Sequence, residues 1–211
     1  MANRPEKEKR KNDRVRLSKA EKIAIPIILI VAVWVVYSVV QPSPPATQPT
    51  VSSTAPSTSV APDFTLPVVT ANGLTGQSIS LSSFRGKVVF LEFMEPWCPH
   101  CQHMAPVLED MYAKYYQNNA NVTFISVAGP WNGPDGNPAS ASDAAKFIST
   151  YGTGWTYVYD SSGSVMNNAY GVNSTPTFFI ISKSGAVLTS FQGEEPENTL
   201  TAAINSAINA S

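Results

Sequence analysis

The chain has 211 residues, 14 Lys and Arg against 15 Asp and Glu, a net charge of -1, 43% hydrophobic residues and two cysteines. This composition excludes a disulfide-stapled miniprotein, a four-cysteine zinc ribbon and a wholly disordered chain. The near-balance hides a polarity, because residues 1–22 carry nine of the basic side chains beside four acidic ones, leaving five against eleven for the remainder. Two ends so different in charge suit two environments.

Residues 23–40 form an uncharged run of eighteen, rich in Ile, Val and Ala, with Trp34 and Tyr37 toward its far end. As a helix it would measure about 27 Å, against about 30 Å for a bilayer's hydrocarbon core. Pro26 falls in the first turn, where its missing N–H does least harm. The run is longer than a signal-peptide core and no small-x-small cleavage site closely follows it, so an uncleaved anchor is expected rather than a cleaved leader. Basic residues precede the run and the next one after it is Arg85, which predicts a cytoplasmic tail over 1–22 and an extracytoplasmic remainder. The tail's acidic interruptions and lack of aromatic residues argue against nucleic acid as its partner; topology and anionic-lipid contact account for it.

Residues 41–61 are almost entirely Pro, Ser, Thr, Val and Ala without a charge, and predict an extended tether of at most about 65 Å. Residues 62–211 have the length of one ordinary domain with a sizeable core. Their patterns alternate: strand over 88–93, helix over 101–116 with Met104, Val107, Leu108, Met111 and Tyr115 on its apolar face, strand over 122–127, and helix over 140–151. Strand over 156–159, a short helix over 165–170, two strands over 177–181 and 187–191 joined by a turn at 183–185, and a closing helix over 196–210 complete the series. Glu194, Glu195 and Glu197 cluster at the start of that last helix, where the macrodipole favours them. The alternation predicts an α/β layer fold ending in an antiparallel hairpin.

Both cysteines and both histidines stand in Glu92-Phe93-Met94-Glu95-Pro96-Trp97-Cys98-Pro99-His100-Cys101-Gln102-His103. A Cys-x-x-Cys pair at a strand-to-helix junction sets Cys98 at the helix N-terminus, where free N–H groups stabilise a thiolate. Cys101, one turn in, is placed to close a disulfide with it. A purely structural bridge is a poor reading, because so short a loop removes little unfolded-state entropy. Metal binding by Cys98, His100, Cys101 and His103 is a rival reading, although these spacings would not converge on one ion without unwinding the helix start.

With this motif in view, the domain resembles the thioredoxin-fold thiol-disulfide oxidoreductases of the membrane-anchored TlpA/ResA-like group. The resemblance runs from Ala61-Pro62-Asp63-Phe64-Thr65-Leu66 through residues 81–87, Cys98, Cys101 and Pro106 to Tyr170-Gly171-Val172-Asn173-Ser174-Thr175-Pro176-Thr177. It implies a central mixed sheet flanked by helices, a cis Pro176, and a groove in which the Thr175 backbone, Trp97, Pro99 and Pro176 meet the substrate. It implies no metal and no cofactor, with protein thiols and disulfides as substrates and a membrane redox partner that recycles the pair.

Two features depart from that group. Pro99-His100 is the dipeptide of DsbA-like oxidases, and Glu92, six residues before Cys98, is similar to the buried acid of thioredoxins and DsbA-like proteins. The 74 residues from Cys101 to Thr175 leave no room for a DsbA-like helical insertion. His100 then reads as a tuner of Cys98 or as an ordinary exposed side chain, His103 as a surface residue, and Glu92 as a proton relay toward Cys101 or as a carboxylate neutralised by a lysine. Glu95, next to Pro96, reads as a loop residue near the mouth. A peroxidase reading lacks its Pro-x-x-x-Thr-x-x-Cys arrangement, and a c-type haem site would need His where Gln102 stands. The loop over 129–138, with six Gly or Pro in ten residues, either borders the site or merely connects elements, and Asn121 and Asn173 head glycosylation sequons. The Pro99-His100 chemistry favours an oxidase or isomerase direction; a reductase of secreted or cytochrome c apoprotein thiols and a thioredoxin-fold metallochaperone are the alternatives.

Overall fold

The computed structural model describes residues 59–210. The expected tail over 1–22, the span over 23–40 and nearly all of the tether lie outside these residues. Among the described residues no helix is long and apolar enough to cross a membrane.

Seven strands form one mixed sheet: β1 (Thr65–Thr70), β2 (Gly73–Ser80), β3 (Val88–Met94), β4 (Val122–Ala128), β5 (Thr156–Tyr159), β6 (Thr177–Ile181) and β7 (Val187–Gln192), in the order β2-β1-β5-β4-β3-β6-β7. β3, β4 and β5 run parallel, while β1 on one side and β6 and β7 on the other are antiparallel to their neighbours. Three helices, α1 (Pro99–Met111), α2 (Ala141–Tyr151) and α3 (Glu197–Asn209), complete the main elements. This is a thioredoxin-like α/β fold.

β3 organises both layers of the core. Its seven residues are all buried, and the two-residue period of a strand sends them alternately to opposite faces. Val88, Phe90 and Met94 join the layer that holds Met104 and Leu108 of α1, Ala144 and Phe147 of α2, and Leu200 and Ile204 of α3. Val89, Leu91 and Phe93 join the other layer, with Ala61, Phe64, Leu81 and Met166. Phe90 lies between Phe124 and Phe178, at ring-centroid distances of 4.5 and 5.4 Å. Such aromatic pairs each add roughly 0.5–1.5 kcal/mol beyond their buried area. By the same parity Glu92 belongs to the helix face, beneath the start of α1.

The predicted elements recur with three differences. The β1–β2 hairpin was not among them; its strands are short on alternating apolar residues, and its signal is the turn at Asn72-Gly73, where Gly73 adopts φ 98°. Residues 59–61, read as the end of the tether, run alongside the last hairpin, with Val60 bridging Ala186 and Ala61 buried. The helix expected through Tyr116 changes after Met111 into a π-helical turn, Tyr112–Tyr116. Its five-residue spacing puts Tyr116 on the buried side with Met104, Leu108 and Met111 and leaves Tyr115 exposed, so the expected face holds except at Tyr115. Tyr116 OH then donates toward the Thr201 carbonyl and Asn205 Oδ1 of α3. α2 starts on a capping box in which Ser140 and Asp143 bond reciprocally, which explains its sharp boundary.

Candidate active site

Cys98 is the N-cap of α1, Pro99 occupies its first turn, and Gln102 N–H donates to the Cys98 carbonyl. The site therefore sits where β3 ends and α1 begins, facing the loop before β6. In that loop the Thr175–Pro176 bond is cis, Pro176 is buried, and the Cys98 thiol donates to the Thr175 carbonyl at 3.4 Å. Cys98, Thr175 and Pro176, which lie far apart in sequence, thus come together as expected.

The two sulfurs occupy opposite environments. The Cys98 thiol is drawn down to about 5, first by the hydrogen bond from the Cys101 thiol, with help from the Thr175 side chain and the backbone N–H groups of Cys101 and His100. Its ordinary value is about 8.5. Cys101 has no exposed surface, and burial, then Cys98, then Glu92 push its thiol far up. Near neutral pH the pair is a Cys98 thiolate beside a Cys101 thiol, both free.

Glu92 is 3% exposed, directly across the strands from Ser126 of β4 and Phe178 of β6. Burial pushes its carboxyl up to about 7 against the opposing pull of its hydrogen bond from Ser126. Ser126 in turn accepts Trp155 Nε1–H at 2.8 Å. The lysine partner weighed for Glu92 is thus replaced by a neutral hydroxyl, which leaves the carboxyl free to be protonated.

Glu95 departs most from expectation. Read as a loop residue at the mouth, it is fully buried, on the face of the sheet opposite Glu92, and burial pushes its carboxyl up to about 8. One oxygen accepts the Trp131 backbone N–H at 3.0 Å. The apolar run from Val88 to Met94, interrupted only by Glu92 and with no turn signal before Pro96, was the available hint.

At the mouth, His100 and His103 each donate Nδ1–H to Glu194, at 2.6 and 2.7 Å, and both imidazoles are largely exposed. This bond raises the His100 pKa and lowers that of Glu194. Glu194, read only as a helix-start acid, is thereby a partner of the active-site helix. The imidazoles face Glu194 while the thiols face Thr175 and the core, and among the described residues no group of three His, Cys, Asp or Glu is placed to hold a metal ion. Trp97 is half-buried and donates Nε1–H to the Trp131 carbonyl at 3.0 Å, so the 129–138 loop does border the site. Asn173 and Ser174, in the second sequon, both accept from the Gln192 amide.

Residues 58–190 match the AhpC/TSA family. The chain belongs to that family. It is 33% identical over 129 residues to the thiol-disulfide oxidoreductase ResA of Geobacillus thermodenitrificans, covering 61% of this chain and 65% of that one. It is 31% identical over 142 residues to ResA of Bacillus thuringiensis subsp. konkukian, covering 66% and 72%. The chain thus spans about two thirds of the length of these relatives. Among solved structures, a chain of Chlorobium tepidum assigned as a thiol:disulfide interchange protein DsbE superposes with a TM-score of 0.58 at 30% identity, covering 71% of this chain and 95% of that one. A secreted Mycobacterium tuberculosis disulfide oxidoreductase homologous to E. coli DsbE gives 0.54 at 26%, covering 68% and 95%. The chain is accordingly a ResA/DsbE-like, thioredoxin-fold thiol-disulfide oxidoreductase with a Cys-x-x-Cys active site, Cys98 and Cys101. The peroxidase arrangement is absent, since Leu91 and Glu95 stand where its Pro and Thr would be.

Proposed function

We propose that this protein is an extracytoplasmic, membrane-tethered oxidoreductase that exchanges disulfides with protein substrates in the oxidase or isomerase direction. The observation that carries the reading is the Cys98 thiol, drawn down to about 5 at the start of α1 beside the cis Thr175–Pro176 loop. Stabilising the thiolate favours the reduced pair, which makes the disulfide a stronger oxidant. The 1–22 tail, the apolar run over 23–40 and the 41–61 tether support an anchored domain outside the cytoplasm.

In the oxidising direction a substrate thiolate attacks Cys98 Sγ of the Cys98–Cys101 disulfide, and Cys101 leaves with the electron pair. A second substrate thiolate then attacks the substrate sulfur of the mixed disulfide, releasing oxidised substrate and the Cys98 thiolate. If instead Cys101 returns to Cys98, substrate leaves reduced; this escape step needs the Cys101 proton removed. Glu92, neutralised by burial and lying beneath Cys101, suits the role of proton relay in both directions. The cis loop, Trp97 and Pro99 would hold the substrate backbone beside Thr175. The hydrogen bond to Glu194 raises the His100 pKa, which favours positive charge near the thiolate. A membrane redox partner would restore the disulfide after each turnover.

The reduction potential of the purified full-length chain tests the direction. Reference couples lie at about -270 mV for thioredoxin and about -120 mV for DsbA, and a value above roughly -200 mV is expected here. A thioredoxin-like potential would assign the reductase direction instead.

A further inference from the structure

We propose that Glu95 is a positioning residue for protein substrates: its buried carboxyl seats the 129–138 loop and, through Trp131, fixes Trp97 as a wall of the substrate groove. The inference rests on the thiol-disulfide exchange reading and deepens it by assigning where recognition of large substrates is set.

Three contacts converge on one loop residue. Trp131 donates its backbone N–H to Glu95 Oε1 at 3.0 Å, accepts Trp97 Nε1–H on its carbonyl at 3.0 Å, and donates its indole N–H to Asn167 Oδ1 at 2.8 Å. Trp97 is the neighbour of Cys98, so the chain from Glu95 through Trp131 to Trp97 ends beside the reacting sulfur. Beyond it opens a cavity of about 670 Å³ between the loop and α2, lined in part by Pro96, Trp97, Gln102, Gly133 and Phe147. That space adjoins the start of α1 through Trp97 and Gln102.

The loop's approach to Glu95 is built into the sequence. Gly129 lies so close that a Cβ there would fall 2.3 Å from Glu95 Oε1 and 2.5 Å from Met166 Cε. Glu95 Oε2 is buried without a hydrogen-bond partner. A carboxyl half-satisfied in this way costs stability relative to an apolar side chain, so packing alone does not account for it. What the acid supplies, and an apolar residue could not, is the acceptor for Trp131. Burial first, and then the nearby Cys98 and Asp160, push the carboxyl toward its neutral form, against the opposing pull of the Trp131 hydrogen bond. The carboxyl is therefore held neutral, and a glutamine amide would reproduce its acceptor.

The test is turnover of the full-length protein on insulin, a protein disulfide, with dithiothreitol as terminal reductant, beside single-turnover reduction of 5,5′-dithiobis(2-nitrobenzoate), a small one, by the pre-reduced protein freed of dithiothreitol. Glu95→Ala should raise KM for insulin about tenfold with kcat nearly unchanged, a pattern that reads lost binding rather than lost chemistry. The rate on the small disulfide should stay within about twofold, and Glu95→Gln should restore the insulin KM. Gly129→Ala, which pushes the loop away with Glu95 intact, should reproduce the Glu95→Ala phenotype. An unchanged insulin KM in Glu95→Ala, an equal fall on both disulfides, or failure of Glu95→Gln to rescue would overturn the proposal. Loss of exchange with both disulfides in the parent protein would instead contradict the oxidoreductase reading itself.

Discussion

Glu92 and Glu95 leave the same end of β3 toward opposite faces of the sheet. Both are buried and both are pushed toward neutrality, to about 7 and about 8. On the helix face Glu92 meets Ser126 and lies under Cys101; on the other face Glu95 meets the Trp131 backbone. β3 and the residue just past its end thus carry the two acids to which we assign, respectively, the sulfur chemistry and the geometry of the groove. The lesson is that burial sets protonation whereas the partner sets the role, so two carboxyls of similar pKa need not share a function.

The largest expected effect tests whether the helix face carries the chemistry. Cys101→Ser should trap mixed disulfides with client proteins through Cys98, while Cys98→Ser should trap very few; comparable trapping by both variants, read on non-reducing gels, would remove Cys98 as the nucleophile. Next, Glu92→Gln should slow release of the mixed disulfide by about a hundredfold near neutral pH, the lower end of the usual weight of general acid–base help. Stopped-flow exchange across pH would show this, and an unchanged profile in a folded variant would make Glu92 structural.

The same substitution sharpens the comparison through stability. A carboxyl raised from its ordinary value of about 4.3 to about 7 binds its proton more tightly in the folded state, so stability falls as pH rises between those values. Glu92→Gln should therefore be more stable than the parent above about pH 7, by on the order of a few kcal/mol, with the advantage fading toward pH 4. Melting temperatures at pH 4.5 and pH 8 would settle it, and an advantage independent of pH would contradict the burial argument.

A smaller effect belongs to the mouth. His100→Ala should lower the reduction potential by on the order of 30 mV, because a positive neighbour of the thiolate is lost. Glu194→Gln should move it less, since removing the carboxylate both weakens His100 protonation and relieves repulsion of the thiolate. A larger shift for Glu194→Gln than for His100→Ala would assign the tuning to the carboxylate.

Much of this was legible in the chain itself. Cys-x-x-Cys before a helical pattern located Cys98 and Cys101, and Val88 through Phe93 announced a buried strand on which an acid at Glu92 was conspicuous. Thr175-Pro176 entered by family resemblance, since nothing in local pattern reveals that residues 77 apart share a site. Glu95 is a loop residue as read, just past the end of β3, but its burial was missed because Pro96 suggests an exposed turn, whereas the buried run extends through Pro96. Ser126, Trp131 and Glu194 gave no signal, because their roles depend on strand register and loop closure. The π-helical turn at Tyr112–Tyr116 escaped because a 3.6-residue period cannot anticipate one inserted residue.

The most direct test of the account is the pH dependence of alkylation of the reduced, full-length protein by iodoacetamide, with the modified cysteine identified by mass spectrometry. Modification of Cys98 with a midpoint near pH 5, and protection of Cys101 throughout, is the predicted result. A midpoint near the free-thiol value of about 8.5, or earlier modification of Cys101, would contradict the assignment of Cys98 as the stabilised, attacking thiolate.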